Sequence, residues 1–229
     1  MSIKLYNDPA SQPGRAIKSL LVAGQVDHEE QYVSLLENAH KSAEVVALNP
    51  AGQIPFITVD GKVQVESASI LRYLACKFPS LHQYYPDDLD QRQKIDAALD
   101  YNGCVLRPAF LLKIGPHCLK AFNKQEAFTQ PQLNMIEMSK VRIPMMLNGF
   151  EQRLKTWGGK FACGDEPSIA DFQLFAEFVD MLYLGESWES FERISAWYDA
   201  CRQLPGIKEV HDDFEASTLQ PFKSAVMDI

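Results

Sequence analysis

Basic runs, paired cysteines and long apolar stretches are all missing from this chain. Its 229 residues carry 22 lysines and arginines against 30 acids, a formal charge of −8. An acidic protein without a basic cluster has no electrostatic footprint for nucleic acid or for an anionic membrane surface, so neither is expected as a partner. No apolar run approaches the ~20 residues that span a bilayer. Met1-Ser2-Ile3-Lys4 leads into strand-like sequence without the apolar core of a signal peptide, and a cytoplasmic location is expected. The five cysteines, Cys76, Cys104, Cys118, Cys163 and Cys201, are scattered, odd in number and form no C-x-x-C. That excludes a disulfide framework and a zinc site as expectations and leaves the cysteines as small buried hydrophobes in a reducing compartment. No metal is expected.

What remains is an ordinary globular composition, 46% apolar and 23% charged, long enough for one large or two smaller domains. The first third alternates strand and helix. Ile3 to Tyr6 reads as a strand, and Ala16, Ile17, Leu20 and Leu21 recur at helical spacing behind Pro13. Glu30 to Leu35 reads as a second strand, and Lys41 to Leu48 as a short helix. Phe56 to Val59 and Lys62 to Val65, joined by Asp60-Gly61, form a hairpin pattern, and Ser67 opens a helix through Phe78. Residues 79–89, with Pro79, Pro86, Asp87 and Asp88, lack periodicity and read as a linker. Beyond it the pattern is helical: Arg92 to Leu112, Leu133 to Trp157 with a kink or break predicted at Pro144, an almost wholly apolar Ile169 to Leu182, Phe191 to Arg202, and Ile207 to Phe214. The predicted fold is α+β: a thioredoxin-like βαβ-α-ββα domain over residues 1–78, then an all-helical domain over residues 90–229.

Three segments carry chemistry. The turn Asp8 to Arg15 delivers Ser11 to a helix N-terminus, where free N–H groups and the macrodipole favour an anion. A hydroxyl there either caps the helix or donates to a thiolate and so favours its ionisation. In Gln53-Ile54-Pro55-Phe56 a proline precedes a strand. A cis Ile54–Pro55 bond is expected, turning the Ile54 backbone outward to pair with an extended peptide ligand; the alternative is an ordinary trans proline at a strand start. In Val65-Glu66-Ser67, Ser67 either caps its helix or offers its hydroxyl and N–H to a carboxylate while Glu66 accepts from an α-amino group. A fourth segment, Gly164 to Asp171, reads as structural: Ser168 caps and Asp171 reaches back to it in a capping box.

Taken together these segments resemble the soluble glutathione transferases, and the S-Q-P-x-R-A opening is most similar to the theta class. The likeness is strongest over residues 3–78, through N-P-x-x-x-I-P-x-x-x-x-D-G at Asn49 to Gly61 and E-S-x-x-I-L-x-Y-L at Glu66 to Leu74, and returns at Gly164 to Asp171. The resemblance implies a cytoplasmic, homodimeric detoxification enzyme that holds no tightly bound cofactor, takes glutathione as co-substrate and transfers its thiolate to small hydrophobic electrophiles, with glutathione peroxidase activity as a further expectation. It implies that Ser11 donates to the sulfur, that the Ile54 backbone pairs with the cysteinyl unit behind Pro55, that Glu66 and Ser67 hold the γ-glutamyl end, and that His40, Lys41 and Gln53 hold the glycyl carboxylate. His40 and Lys41 would supply local positive charge for an anionic peptide on an acidic protein. Arg107, Phe110 and Leu111 are candidates for the electrophile site, with surface or core placement as the alternative for each. Gly14, where theta-like sequences carry cysteine, and Gln53, often lysine, depart from the pattern. The rival reading is a non-catalytic binding module of the same fold, and a thiol reductase is disfavoured by the cysteine-free Ser11-Gln12-Pro13-Gly14 turn.

Overall fold

The computed structural model describes residues 2–157 and 159–227. A four-stranded sheet is built first, in the order β2-β1-β3-β4. Strand β1 (Ile3–Asn7) runs parallel to β2 (Glu29–Tyr32), and β3 (Phe56–Val59) pairs antiparallel with both β1 and β4 (Lys62–Gln64). The parallel pair needs a crossover, supplied by helix α1 (Gln12–Ala23). Asp60 and Gly61 both take positive φ, 48° and 78°, the backbone a two-residue hairpin turn requires. Helix α2 (Ala43–Leu48) is preceded by a 3₁₀ turn at Ala39–Lys41, so the predicted helix start is split in two. Helix α3 (Ser67–Lys77) completes the unit. Within residues 79–89 a 3₁₀ segment, Pro79–Tyr84, buries Leu81 and Tyr84.

The rest of the described chain is helical: α4 (Leu89–Tyr101), α5 (Arg107–Phe122), α6 (Gln130–Trp157), α7 (Ile169–Tyr183), α8 (Glu192–Arg202), α9 (Ile207–Ser217) and α10 (Leu219–Met227). None of these is long and apolar enough to cross a membrane. The Arg92-to-Leu112 pattern is one helical path with a π-helical turn, Asn102–Leu106, between α4 and α5. Pro108 explains the widening, because a proline ring collides with the carbonyl four residues back in a regular helix. Helix α6 passes Pro144 without interruption, so of the predicted kink or break the break does not occur; one missing N–H out of a 28-residue helix is outweighed by the packing of Ile143, Met146, Leu147 and Phe150 in the core. Helix α10 has no counterpart in the sequence reading.

Helix α7 is the axis of the molecule. Phe172, Leu174, Phe175, Phe178 and Val179 are fully buried on it, and it packs against α1 as well as against α4 and α8. Arg15 carries polar contacts across the α1–α7 interface: 1% exposed, it pairs with Asp180 and donates to the Ala176 carbonyl at 3.3 Å, while it also donates to the Pro9 carbonyl at 2.9 Å and stacks 4.0 Å above Phe214 of α9. The turn into α9 meets α1 so closely that only glycine fits: a Cβ on Gly206, at φ +78°, would stand 2.0 Å from the Ser19 carbonyl oxygen. Sheet unit and helical bundle are thereby fixed to each other on α1. All five cysteines are free thiols; Cys76 and Cys104 are exposed and Cys118 is half-buried, so the expectation of buried cysteines holds for Cys163 and Cys201. Burial lifts the thiols of Cys118 and Cys163 to about 12, which leaves them protonated and inert near neutrality.

Candidate active site

The first turn of α1, the segments flanking α2, the approach to β3, the β4–α3 junction, the α4–α5 path and one residue of α7 surround a cleft of about 670 Å³. His40, Lys41, Gln53, Ile54, Pro55, Glu66, Ser67, Arg107 and Leu111 of the predicted set all line it. Residues separated by more than sixty positions are thus brought onto one concave surface.

Each wall follows from its local sequence. Asn49, buried behind α2, bends the chain back on itself: its side chain donates to the Gln53 carbonyl at 2.8 Å and accepts from the Ala51 N–H at 3.3 Å. Lys41 reaches across to the Gly52 carbonyl at 2.7 Å. These two clamps present Gln53 and Ile54 at the cleft edge. The Ile54–Pro55 bond is cis, as expected, and the β1–β3 ladder begins only at Phe56, so Ile54 stands ahead of the ladder on the cleft wall.

His40 differs from the expectation of a charged corner. Burial first, and the Lys41 cation second, hold its pKa below the ordinary histidine value of 6.5, so it is neutral near pH 7 and its Nδ1 has no hydrogen-bond partner among the described residues. Positive charge at this corner comes from Lys41; His40 offers hydrogen bonding.

The opposite wall shows backbone strain. Glu66 occupies the N-cap position of α3 at φ 66°, ψ 106° and makes no side-chain cap bond. A non-glycine residue there costs on the order of 1–3 kcal/mol. Ser67 is accordingly the first helical residue, and the alternative that Ser67 caps α3 is excluded. The strain places an exposed carboxylate and the Ser67 hydroxyl side by side on the cleft wall.

Ser11 sits at the N-cap of α1, 5% exposed, and its hydroxyl makes no cap bond. The cleft touches α1 at Pro13, two residues on. Gly14 is a packing requirement: a Cβ there would lie 1.7 Å from Asn7 Oδ1. On the α5 side, Arg107 lines the cleft and pairs with Glu177 at 2.7 Å, a carboxylate of α7 that is almost fully buried. Leu111 is 37% exposed on the same wall, whereas Phe110 is packed edge-on against Phe178 in the core, outside the cleft lining. Sequence reading missed Asn49, Asn102 and Gln173, all on the lining. Only Asn49 left a signal, as part of the N-P turn. Asn102 lies on the π turn and Gln173 within an otherwise apolar helix, where one polar residue gives no periodic cue.

The structural calls on Ser168 and Asp171 lead away from the cleft. Asp171 is fully buried; its Oδ2 accepts from the Ser168 N–H at 2.8 Å and the Ser168 hydroxyl at 3.0 Å, its Oδ1 from the Ala162 N–H at 2.8 Å and Trp197 Nε1 at 2.9 Å. Among the described residues no group of His, Cys, Asp and Glu is arranged to hold a metal.

Fold and cleft define a thioredoxin-like sheet unit joined to a helical bundle, with a peptide-sized cleft between them. The glutathione S-transferase N-terminal domain pattern matches residues 1–76 and the glutathione S-transferase C-terminal domain pattern residues 111–212. Glutathione S-transferase T1 of Arabidopsis thaliana is 30% identical over 93% of this chain and 89% of its own length. Human glutathione S-transferase theta-2 is 27% identical over 86% of this chain and 79% of its own. Among solved structures, glutathione S-transferase unclassified 2 from Bombyx mori superposes with a TM-score of 0.79 at 26% identity, covering 100% of this chain and 98% of that one. Human glutathione S-transferase T1-1, apo form, gives 0.78 at 21% identity, covering 99% and 100%, and shows the common fold. The chain belongs to the glutathione S-transferase family, an enzyme family, and its theta-like character agrees with these relatives.

Proposed function

We propose that this enzyme binds glutathione in the cleft and transfers its thiolate to small electrophiles, with hydroperoxides as a second substrate class. The observation that carries the reading is the convergence of Lys41, Gln53, Ile54, Glu66 and Ser67 on one surface beside the N-terminus of α1. Lys41 and Gln53 face the glycyl carboxylate, the Ile54 backbone pairs with the cysteinyl unit, and Glu66 with Ser67 receives the γ-glutamyl amine and carboxylate. The strain held at Glu66 supports this role, since such outliers persist where geometry serves binding.

Ser11 then supplies the chemistry. A free thiol with a pKa near ~8.5 is only a few per cent ionised at neutrality. Lowering it by ~2 units takes ~2.7 kcal/mol, within reach of one charge-assisted O–H···S bond and the N-terminus of α1. The hydroxyl's freedom from capping supports this assignment. Leu111 and Leu35 offer the electrophile apolar contact, and Arg107, braced by Glu177, borders the same space.

Residues 1–78 and 90–229 are proposed as the two domains, joined through 79–89, and the working form as a cytoplasmic two-fold homodimer acting in detoxification. Light scattering at micromolar concentration tests the assembly, with a mass near the 25.9 kDa chain counting against it. Retention on immobilised glutathione, followed by turnover of a chloronitrobenzene, tests the activity. Retention without turnover of any electrophile or hydroperoxide would leave a binding module instead.

A further inference from the structure

The cleft has a polar wall that glutathione contacts leave unused. Asn102, 3% exposed, and Gln173, 2% exposed, both line it. Asn102 Oδ1 and Gln173 Oε1 have no hydrogen-bond partner among the described residues. Buried polar atoms are satisfied in the great majority of cases, and each exception calls for a cause. An unmade buried hydrogen bond is destabilising, so two in one wall represent a standing penalty that leucine at either position would remove.

Both residues are set on the cleft wall by the local backbone. Asn102 begins the π turn, and such single-turn widenings occur frequently at functional sites. Gln173 interrupts the run Ile169 to Met181, whose other polar members are engaged: Asp171 in its capping network, Glu177 with Arg107 and Asp180 with Arg15. Gln173 instead borders the cleft. The electrophile side of the cleft is thus lined on its buried flank by two neutral carboxamides.

Resting on the glutathione reading above, we infer that Asn102 and Gln173 select electrophiles carrying a neutral hydrogen-bonding group of their own, a hydroxyl or a carboxamide. A side-chain amide presents an acceptor and a donor next to each other, so either orientation of the amide serves such a group. The partner is neutral and not anionic because the neighbouring cation, Arg107, already faces the Glu177 carboxylate at 2.7 Å, while the two carboxamides bring no charge. Burial makes the selection strong: a site built to hydrogen-bond a hydroxyl discriminates against the analogue lacking it far more than an apolar pocket can discriminate by shape.

The test compares 4-hydroxy-2-nonenal with 2-nonenal, which share the reacting enal and differ by one hydroxyl. Glutathione conjugation is measured for the parent, Gln173→Leu and Asn102→Leu, with each kcat/KM divided by the uncatalysed rate. The parent is expected to favour the hydroxylated aldehyde by about tenfold or more, and each leucine variant to lower that ratio by about tenfold, with a melting temperature equal to or above the parent's. A parent without preference, or variants that keep the parent's ratio, would overturn the assignment and leave the glutathione reading intact, the wall then being served by solvent. Failure of the parent to conjugate either aldehyde or a chloronitrobenzene would overturn both. Should a leucine variant not fold, Gln173→Met carries the same expectation, and the parent's own ratio decides independently.

Discussion

Ser11 and Gly14, three residues apart on one turn, are constrained by different physics. The Ser11 hydroxyl makes no cap bond, so Ser11→Ala is expected to cost less than about 0.5 kcal/mol of stability. Turnover should nevertheless fall strongly, with affinity for thiol-blocked glutathione analogues nearly unchanged. The bound thiol should titrate nearer ~8.5, so activity keeps rising with pH where the parent has levelled off. Thiolate absorbance of enzyme-bound glutathione against pH checks this; an unchanged midpoint would remove Ser11 from the mechanism. Gly14 is constrained by space. A side chain at this position, tested as Gly14→Cys, drives Cβ into the Asn7 carboxamide and is expected to destabilise by about 1–3 kcal/mol. Trimming the obstacle in Asn7→Ala/Gly14→Cys should recover most of that loss, a coupling that a double-mutant cycle by urea denaturation measures. A cost that Asn7→Ala leaves untouched would show that the turn itself rejects the side chain.

At the scale of elements, the capping box at Ser168 and Asp171 is worth more than its spacing suggested. A cap alone contributes about 0.5–2 kcal/mol, but Asp171 also accepts from Ala162 and from the Trp197 indole. It ties the start of α7 to the preceding loop and to α8. Asp171→Ala strands three buried N–H donors and is expected to cost about 3 kcal/mol or more, with the specific activity of the folded fraction retained. Thermal unfolding and activity measured on the same samples separate the two, and a stable but inactive variant would reassign Asp171 to catalysis. The motif was legible because a capping box is a local pattern. The same holds for the D-G hairpin, the cis Ile54–Pro55 and the strand–helix alternation of the first third. What the sequence hid is non-local or compensated. The π turn at Asn102–Leu106 interrupts no run of helical residues and so left no break to read, and Pro144 is tolerated because the core around it outweighs one lost bond. Helix α10 carries Leu219, Phe222 and Val226 on one stripe, but it is only nine residues long and holds Pro221 in its first turn. His40 read as a cation because burial is invisible in sequence, and Gln173 read as part of an apolar helix because nothing in its neighbours marks the cleft.

The whole molecule depends on one buried junction where α1, α7 and α9 meet. Arg15 and Asp180 supply its charge, Phe175 and Phe214 its aromatic packing, and His211 lies among them with no exposure and neither ring nitrogen hydrogen-bonded among the described residues. Burial first, then the cations Arg15 and Arg202, push the His211 pKa well below the ordinary 6.5, so the folded protein holds it neutral. In the unfolded chain it titrates near ~6.5. Below that pH the unfolded state binds the proton and the folded state does not, so stability falls with acid, by up to about 1.4 kcal/mol per pH unit, until the folded pKa is reached. Above about pH 7 the full stability is present. His40 and His117 are shifted the same way, so the parent's profile sums several groups, and a variant is needed to isolate this one. His211→Phe keeps the edge-on aromatic contacts and removes the proton site. Between pH 7 and pH 5.5 the parent is expected to lose about 1 kcal/mol more than the variant, read from urea midpoints at each pH. Parallel profiles would mean that His211 finds a protonated arrangement inside the fold. Because the junction joins the sheet unit to the bundle through Arg15 and Gly206, acid should loosen the cleft along with it. Glutathione affinity in the parent should therefore weaken over the same pH interval as the urea midpoint, and in His211→Phe it should hold to a lower pH.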